Sequence, residues 1–120
     1  MGNTIIEKII KHNTGAAQVK PGDIVTVNVD RVMIHDIFIP FVADKFEEMG
    51  FKKLWDPDRV VLIYDHLVPA SQLDDTRHFR VGDAFAARYG MKNVHRSDGI
   101  CHQLMTEAGY VKPGDVVFGT

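Results

Sequence analysis

The run Val116-Val117-Phe118 is apolar at every position, and a strand of that kind has no polar face to turn toward water. It needs cover on both faces, the condition of strands inside a parallel sheet flanked by helices. A second apolar run, Val60-Val61-Leu62-Ile63, delivers Tyr64-Asp65-His66 at its carboxyl end. In open α/β sheets ligands gather beyond the carboxyl ends of the strands. Gly99-Ile100-Cys101-His102-Gln103 stands shortly before the last run, so chemistry-bearing residues recur in pieces beside strands. The expected fold is a layered α/β/α domain with a mainly parallel sheet.

The remaining elements fit that plan. Thr4 and Glu7 have capping-box spacing, and Ile5, Ile6, Ile9 and Ile10 make the apolar face of a first helix that ends before Gly15. Val19-Lys20-Pro21-Gly22-Asp23 reads as a turn into a strand at 24–29, where apolar and polar residues alternate from 25 onward. The turn string returns as Val111-Lys112-Pro113-Gly114-Asp115. Because the flanking sequences do not correspond, one turn solution used twice explains it better than duplication. Phe38, Phe41, Val42, Phe46 and Met49 form a helical apolar stripe ending at Gly50, read as core. Asp56-Pro57-Asp58 turns into the strand at 60–63. Ser71 with Asp74 is a weaker helix start, Phe79, Phe85 and Tyr89 mark a helix ending near Gly90, and 91–94 offers another short strand.

Composition narrows the function classes. The 120 residues suit one domain, and 45% hydrophobic with 25% charged residues is the composition of a globular chain. A net charge of −2 with dispersed lysines and arginines argues against nucleic-acid binding. No apolar stretch approaches the roughly 20 residues that span a bilayer, so no membrane partner is expected. One cysteine, Cys101, cannot form an internal disulfide, and a reducing cytoplasmic setting is the expectation. The six histidines show no HExxH-type spacing, so no built-in zinc site is expected.

Three histidines stand beside carboxylates or strand ends. Asp65 and His66, adjacent in sequence, face opposite ways in a regular strand. At a strand end, where the backbone bends, Asp65 can bond one ring nitrogen and make His66 a competent general acid. The plain alternative is a loop residue with a solvated carboxylate. Taken alone, His102 reads more readily as a histidine satisfied by a backbone carbonyl than as a catalytic group. His35-Asp36 follows the apolar Val32-Met33-Ile34, and His35 is either an anion contact or a structural residue. Cys101 reads as a small buried hydrophobe, and His12, His78 and His95 as solvent-facing.

The stretch Val60 to Ala70, with Tyr64-Asp65-His66 inside it, and the stretch Gly99 to Thr120 resemble the aconitase superfamily. The likeness is to the large subunits of the 3-isopropylmalate dehydratase and homoaconitase group, and it runs over nearly all 120 residues. It implies an aconitase-like first domain in a hydro-lyase that isomerises a substituted malate through an alkene. Isopropylmalate is the expected substrate, with homocitrate-type and dimethylmalate-type substrates close behind. By resemblance, His66 acts near the leaving hydroxyl with Asp65 orienting it, His102 is a second active-site histidine, and His35 contacts a substrate carboxylate.

The resemblance also implies a 4Fe–4S cluster acting as Lewis acid, held by a Cys-x-x-Cys and one more cysteine. Cys101 belongs to neither, so this chain is expected to bind no metal. A serine base is expected from a separate small subunit or swivelling domain. The family pattern continues after Thr120 with Asp-Ser-His-Thr, so the chain is expected to be an amino-terminal portion, truncated after Thr120 and inactive alone. The alternative is a non-catalytic module kept for packing or subunit contact. With its last apolar run short of cover, the isolated chain is expected to self-associate.

Overall fold

The computed structural model describes residues 2–119; Thr120, where the family-like stretch closes, lies outside them. The element order is α1 (Ile5–Thr14), β1 (Arg31–His35), α2 (Ile39–Glu48), β2 (Val60–Tyr64), α3 (Asp75–Tyr89), β3 (Asn93–Arg96), α4 (Cys101–Glu107) and β4 (Val117–Phe118). The four strands form one all-parallel sheet in the order β3-β2-β1-β4.

That order follows from which face each helix covers. Side chains alternate along β2. Val60, Leu62 and Tyr64 pack with Ile39, Phe85, Ala86 and Tyr89 of α2 and α3. Val61 and Ile63 pack on the other face with Cys101 and Met105 of α4. Parallel crossovers keep one hand, so two successive helices on one face carry the chain outward from β1 to β3. A third helix on the opposite face returns it to the far side of β1. The step between β1 and β4 is therefore a topological switch point, and the crevice beyond the carboxyl ends of those strands is where such sheets bind ligands.

β2 is buried at all five positions, as its apolar run requires. Its carboxyl end is pinned by Tyr64, whose hydroxyl donates to Asp83 Oδ1 at 2.7 Å while the Arg96 guanidinium lies 5.0 Å from the ring centroid. Burial first, then the Asp83 carboxylate, pushes the Tyr64 hydroxyl well above its ordinary value. Gly82 is required here, because a Cβ at that position would collide with the Tyr64 hydroxyl.

The repeated turn is one solution used twice. Lys20 N–H donates to Asp23 Oδ2 at 2.8 Å and Asp23 N–H to Lys20 O at 3.1 Å; Lys112 and Asp115 repeat both bonds at the same distances. Gly22 and Gly114 sit at φ 93° and 97°, the left-handed region that the turn demands. The first helix also stands as read, with Thr4 and Glu7 forming a reciprocal capping box and Gly15 a left-handed cap.

Three expectations are corrected. Residues 24–29 form no strand, although their alternation suits one; Ile24 is fully exposed and the described residues offer no strand edge beside it. Asn28 N–H goes to Asn13 O of α1, and Asp30 N–H donates to Val116 O, the residue before β4. The aromatic stripe of α2 also splits. Val42 and Phe46 pack on the core, but Phe38, Phe41 and Met49 are exposed, because Ile39, Val42, Ala43 and Phe46 already fill the helix's inward face. β4 lies at the sheet edge with Val117 and Phe118 both exposed, so its apolar character is not matched by cover.

Candidate active site

Two strand ends build the site. β1 finishes at His35 and is followed by Asp36; β2 finishes at Tyr64 and is followed by Asp65-His66. The register pairs His35 with Ile63, which brings the two histidine–aspartate pairs side by side. Asp36 is fully buried, and its carboxylate accepts N–H bonds from Ile37 at 3.0 Å, His66 at 3.2 Å and Leu67 at 2.8 Å. A buried carboxylate without donors is costly; here backbone amides supply them, and the loop after β2 is thereby tied to the end of β1.

That tie sets the imidazoles face to face. The His35 and His66 rings stack at 4.0 Å between centroids with planes 19° apart. His66 Nδ1 lies 2.6 Å from Asp65 Oδ1, so the bend after β2 lets neighbours in sequence meet. Asp65 Oδ2 accepts the Cys101 amide at 2.7 Å. One carboxylate therefore fixes His66 and anchors the start of α4, which carries His102. Burial opposes ionisation of Asp65, but the Cys101 amide and His66 outweigh it and hold the carboxyl below the usual carboxylate range.

His66 presents a side chain 39% exposed, whereas His35 is buried and its Nδ1 has no hydrogen-bond partner. His102 is exposed, with Nδ1 3.2 Å from Cys101 Sγ. It lines a cavity of about 260 Å³ with Met33, Val117 and Gly119, at the β1–β4 switch point. A second cavity, of about 430 Å³, opens beside Asp65 between Val68, Pro69, Ser97 and Ile100. The structure thus brings Asp65, His66 and His35 into direct contact. His102 joins them only through α4 and the Asp65–Cys101 bond.

The residues present do not fit a cysteine-held cluster. Cys101 is the single cysteine and is buried, and burial, then Asp65, pushes its thiol up to about 11. One buried cysteine cannot supply the several thiolates that such a cluster needs. The expectation of a small buried residue is met.

Other histidines required correction. His12 is exposed as read, but His78 and His95 are half-buried and partnered. His78 Nδ1 lies 3.0 Å from Asp36 O, and His95 contacts Asp98 at 2.7 Å and the Tyr110 hydroxyl at 2.7 Å. The organising role of Asp36 was also missed; its signal was the mirrored His-Asp and Asp-His at two successive strand ends. Nothing local marks Asp83, which meets Tyr64 from the adjacent helix.

His35 generates a pH prediction. Burial first, then the His66 charge, outweighs Asp36 and Asp65 and holds His35 below its ordinary 6.5. Below pH 6.5 the unfolded chain takes up a proton that folded His35 refuses, so stability falls as pH drops from 6.5 through the folded value and is unaffected above. The urea midpoint should therefore rise between about pH 5 and about pH 7, and His35→Gln should flatten that slope. An undiminished slope in the variant would remove His35 from the account.

A family model described as the Aconitase family (aconitate hydratase) matches residues 7–120. The 3-isopropylmalate dehydratase large subunit 1 of Methanopyrus kandleri is 38% identical over 120 residues, covering 99% of this chain and 28% of that protein. The 3-isopropylmalate dehydratase large subunit of Methanoregula boonei is 40% identical over 119 residues, covering 99% and 28%. A probable methanogen homoaconitase large subunit of Methanothermobacter thermautotrophicus is 37% identical over 118 residues, covering 94% and 28%. The chain thus spans 28% of the length of these relatives. The matched residues take in both strand-end pairs and the helix that carries His102, and the chain belongs to the aconitase family.

Proposed function

We propose that this chain supplies the histidine–carboxylate part of a hydro-lyase site acting on a substituted malate, with isopropylmalate the leading substrate and a cytoplasmic setting. The observation that carries the reading is the Asp65–His66 contact of 2.6 Å at the carboxyl end of β2, stacked on His35. Asp65 occupies Nδ1 of His66, so Nε2 is the ring atom left to move a proton. In the dehydration, a base on another segment or subunit takes the carbon-bound proton and the C–O bond breaks. The proton on His66 Nε2 leaves with the hydroxide as water, and an alkene remains. Return of water to the neighbouring carbon by the reverse steps completes the isomerisation. His35, held neutral, donates one N–H to a substrate carboxylate, and His102 acts from the switch-point side.

Family membership attaches a 4Fe–4S cluster to this chemistry as Lewis acid. It would be held by cysteines outside these 120 residues, since Cys101 does not fit the task. A small subunit or swivelling domain supplying the base completes the proposed assembly.

The same single buried thiol favours a second reading for the chain taken by itself: a module that dehydrates nothing and serves packing or subunit contact. On its own it would also associate through the open edge of β4, where Val117 and Phe118 are exposed. Sedimentation equilibrium should show a mass that rises with concentration; a constant monomer mass would refute that association.

In the assembled enzyme, His66→Ala should lower turnover by roughly 10²–10⁴-fold, the usual worth of a general acid, while His12→Ala should be nearly silent. Equal activity of the two variants at matched cluster content would take His66 out of the mechanism.

A further inference from the structure

His95 has no part in the proposed chemistry, yet both of its ring nitrogens are engaged. It stands on β3, with Nδ1 2.7 Å from Asp98 Oδ2 and Nε2 2.7 Å from the Tyr110 hydroxyl. Asp98 precedes α4 and Tyr110 follows it, so one imidazole meets the chain on its way into the helix and on its way out. A carboxylate only accepts, so Nδ1 carries the hydrogen and the bare Nε2 accepts from Tyr110. The exit arm is itself held. Arg31 Nε donates to Tyr110 O at 3.0 Å, and Tyr110 packs with Leu104 and Val111 against the core on that face of the sheet.

The helix between these arms needs an anchor. It has seven residues and no side-chain cap at Ile100, and a helix so short is not stable by itself. The pairing of β3 with β2 ends at Arg96 opposite Tyr64. Ser97 follows at φ 61°, a left-handed conformation that a serine keeps only where its surroundings enforce it. Beyond Ser97, Asp98 is bonded to His95, and the Cys101 amide to Asp65 at 2.7 Å. The connection from β3 to α4 is thus fixed by a carboxylate at each end.

We infer that His95 is a positioning residue: by strapping Asp98 to Tyr110 it sets where α4 lies, and with it the Cys101 amide on Asp65 and His102 at the β1–β4 switch point. Its effect on turnover rests on the hydro-lyase reading above. His95 lines neither cavity of the site, so it acts through other residues. The route is short. If α4 shifts, Asp65 Oδ2 loses the Cys101 amide, and the carboxylate that holds His66 Nδ1 with its other oxygen is free to turn. Loss of the strap therefore reaches the candidate acid without any change in the acid itself.

The test compares His95→Leu, which keeps bulk but loses both bonds, with His95→Gln, whose amide can donate to Asp98 and accept from Tyr110. On the assembled enzyme with isopropylmalate, well below the melting temperature of each variant, His95→Leu should lower kcat roughly 10-fold. KM should stay within about twofold, and His95→Gln should restore most of the loss. Tyr110→Phe should lower kcat in the native background and change it no further in His95→Leu, because one bond cannot be lost twice. In ¹H–¹⁵N spectra of this chain, the Cys101 amide and the His66 ring nitrogens should move in His95→Leu and return in His95→Gln. A lower melting temperature with kcat and both signals unchanged would overturn the inference and leave His95 as ordinary packing. Should His95→Leu not fold, Asp98→Ala breaks the entry arm alone, and an unmoved Cys101 amide there would overturn the inference equally. A wild-type enzyme without turnover would sink the hydro-lyase reading, and the spectra would then decide the strap by themselves.

Discussion

The buried carboxylate of Asp36 is the interaction on which the site depends. Strand pairing brings the ends of β1 and β2 near each other, but the register ends at His35 and Ile63 with a last bond from Asp36 N–H to Ile63 O, and the loops beyond have no ladder to hold them. Asp36 supplies the missing bonds by accepting the amides of Ile37, His66 and Leu67. Each such bond to a charged acceptor is worth about 1.5–3 kcal/mol, and together they decide where the chain after β2 can go. The stacking of His66 on His35 follows from that placement.

Asp65 extends the same logic to the other layer. Its two oxygens serve two elements, His66 Nδ1 on one side and the first amide of α4 on the other. The helix that crosses to the opposite face of the sheet is thus registered on the acid–histidine pair. His102 consequently stands at the β1–β4 switch point beside Gly119. The two stacked rings differ in setting: burial lowers the His35 pKa from its ordinary value, whereas the His66 side chain is 39% exposed.

Much of this was legible in the residues because the relevant signals are local. The apolar Val60–Ile63 run is the buried strand β2, and Pro-Gly-Asp dictated its turn twice; the Val116–Phe118 run, read as covered on both faces, instead ends in the exposed edge strand β4. A left-handed Gly90 ends α3 where the apolar spacing stopped. The Asp65–His66 contact needed only a bend after a strand. What failed was non-local. Residues 24–29 carry a strand's alternation without a partner edge, and pattern alone cannot report a missing neighbour. Phe38 and Phe41 carry core chemistry on a helix whose inward face was already filled. His78 and His95 looked solvated because Asp36 O and Tyr110, their partners, come from distant positions.

The central claim is that Asp65 fixes the tautomer of His66 and leaves Nε2 for proton transfer. Long-range ¹H–¹⁵N correlation spectra of the histidine rings, recorded under mildly alkaline conditions for this chain and for Asp65→Asn, test it directly. The account predicts an Nδ1–H tautomer with a bare Nε2 in the native chain, shifting toward Nε2–H in the variant. An Nε2–H tautomer in the native chain, unchanged by Asp65→Asn, would contradict it.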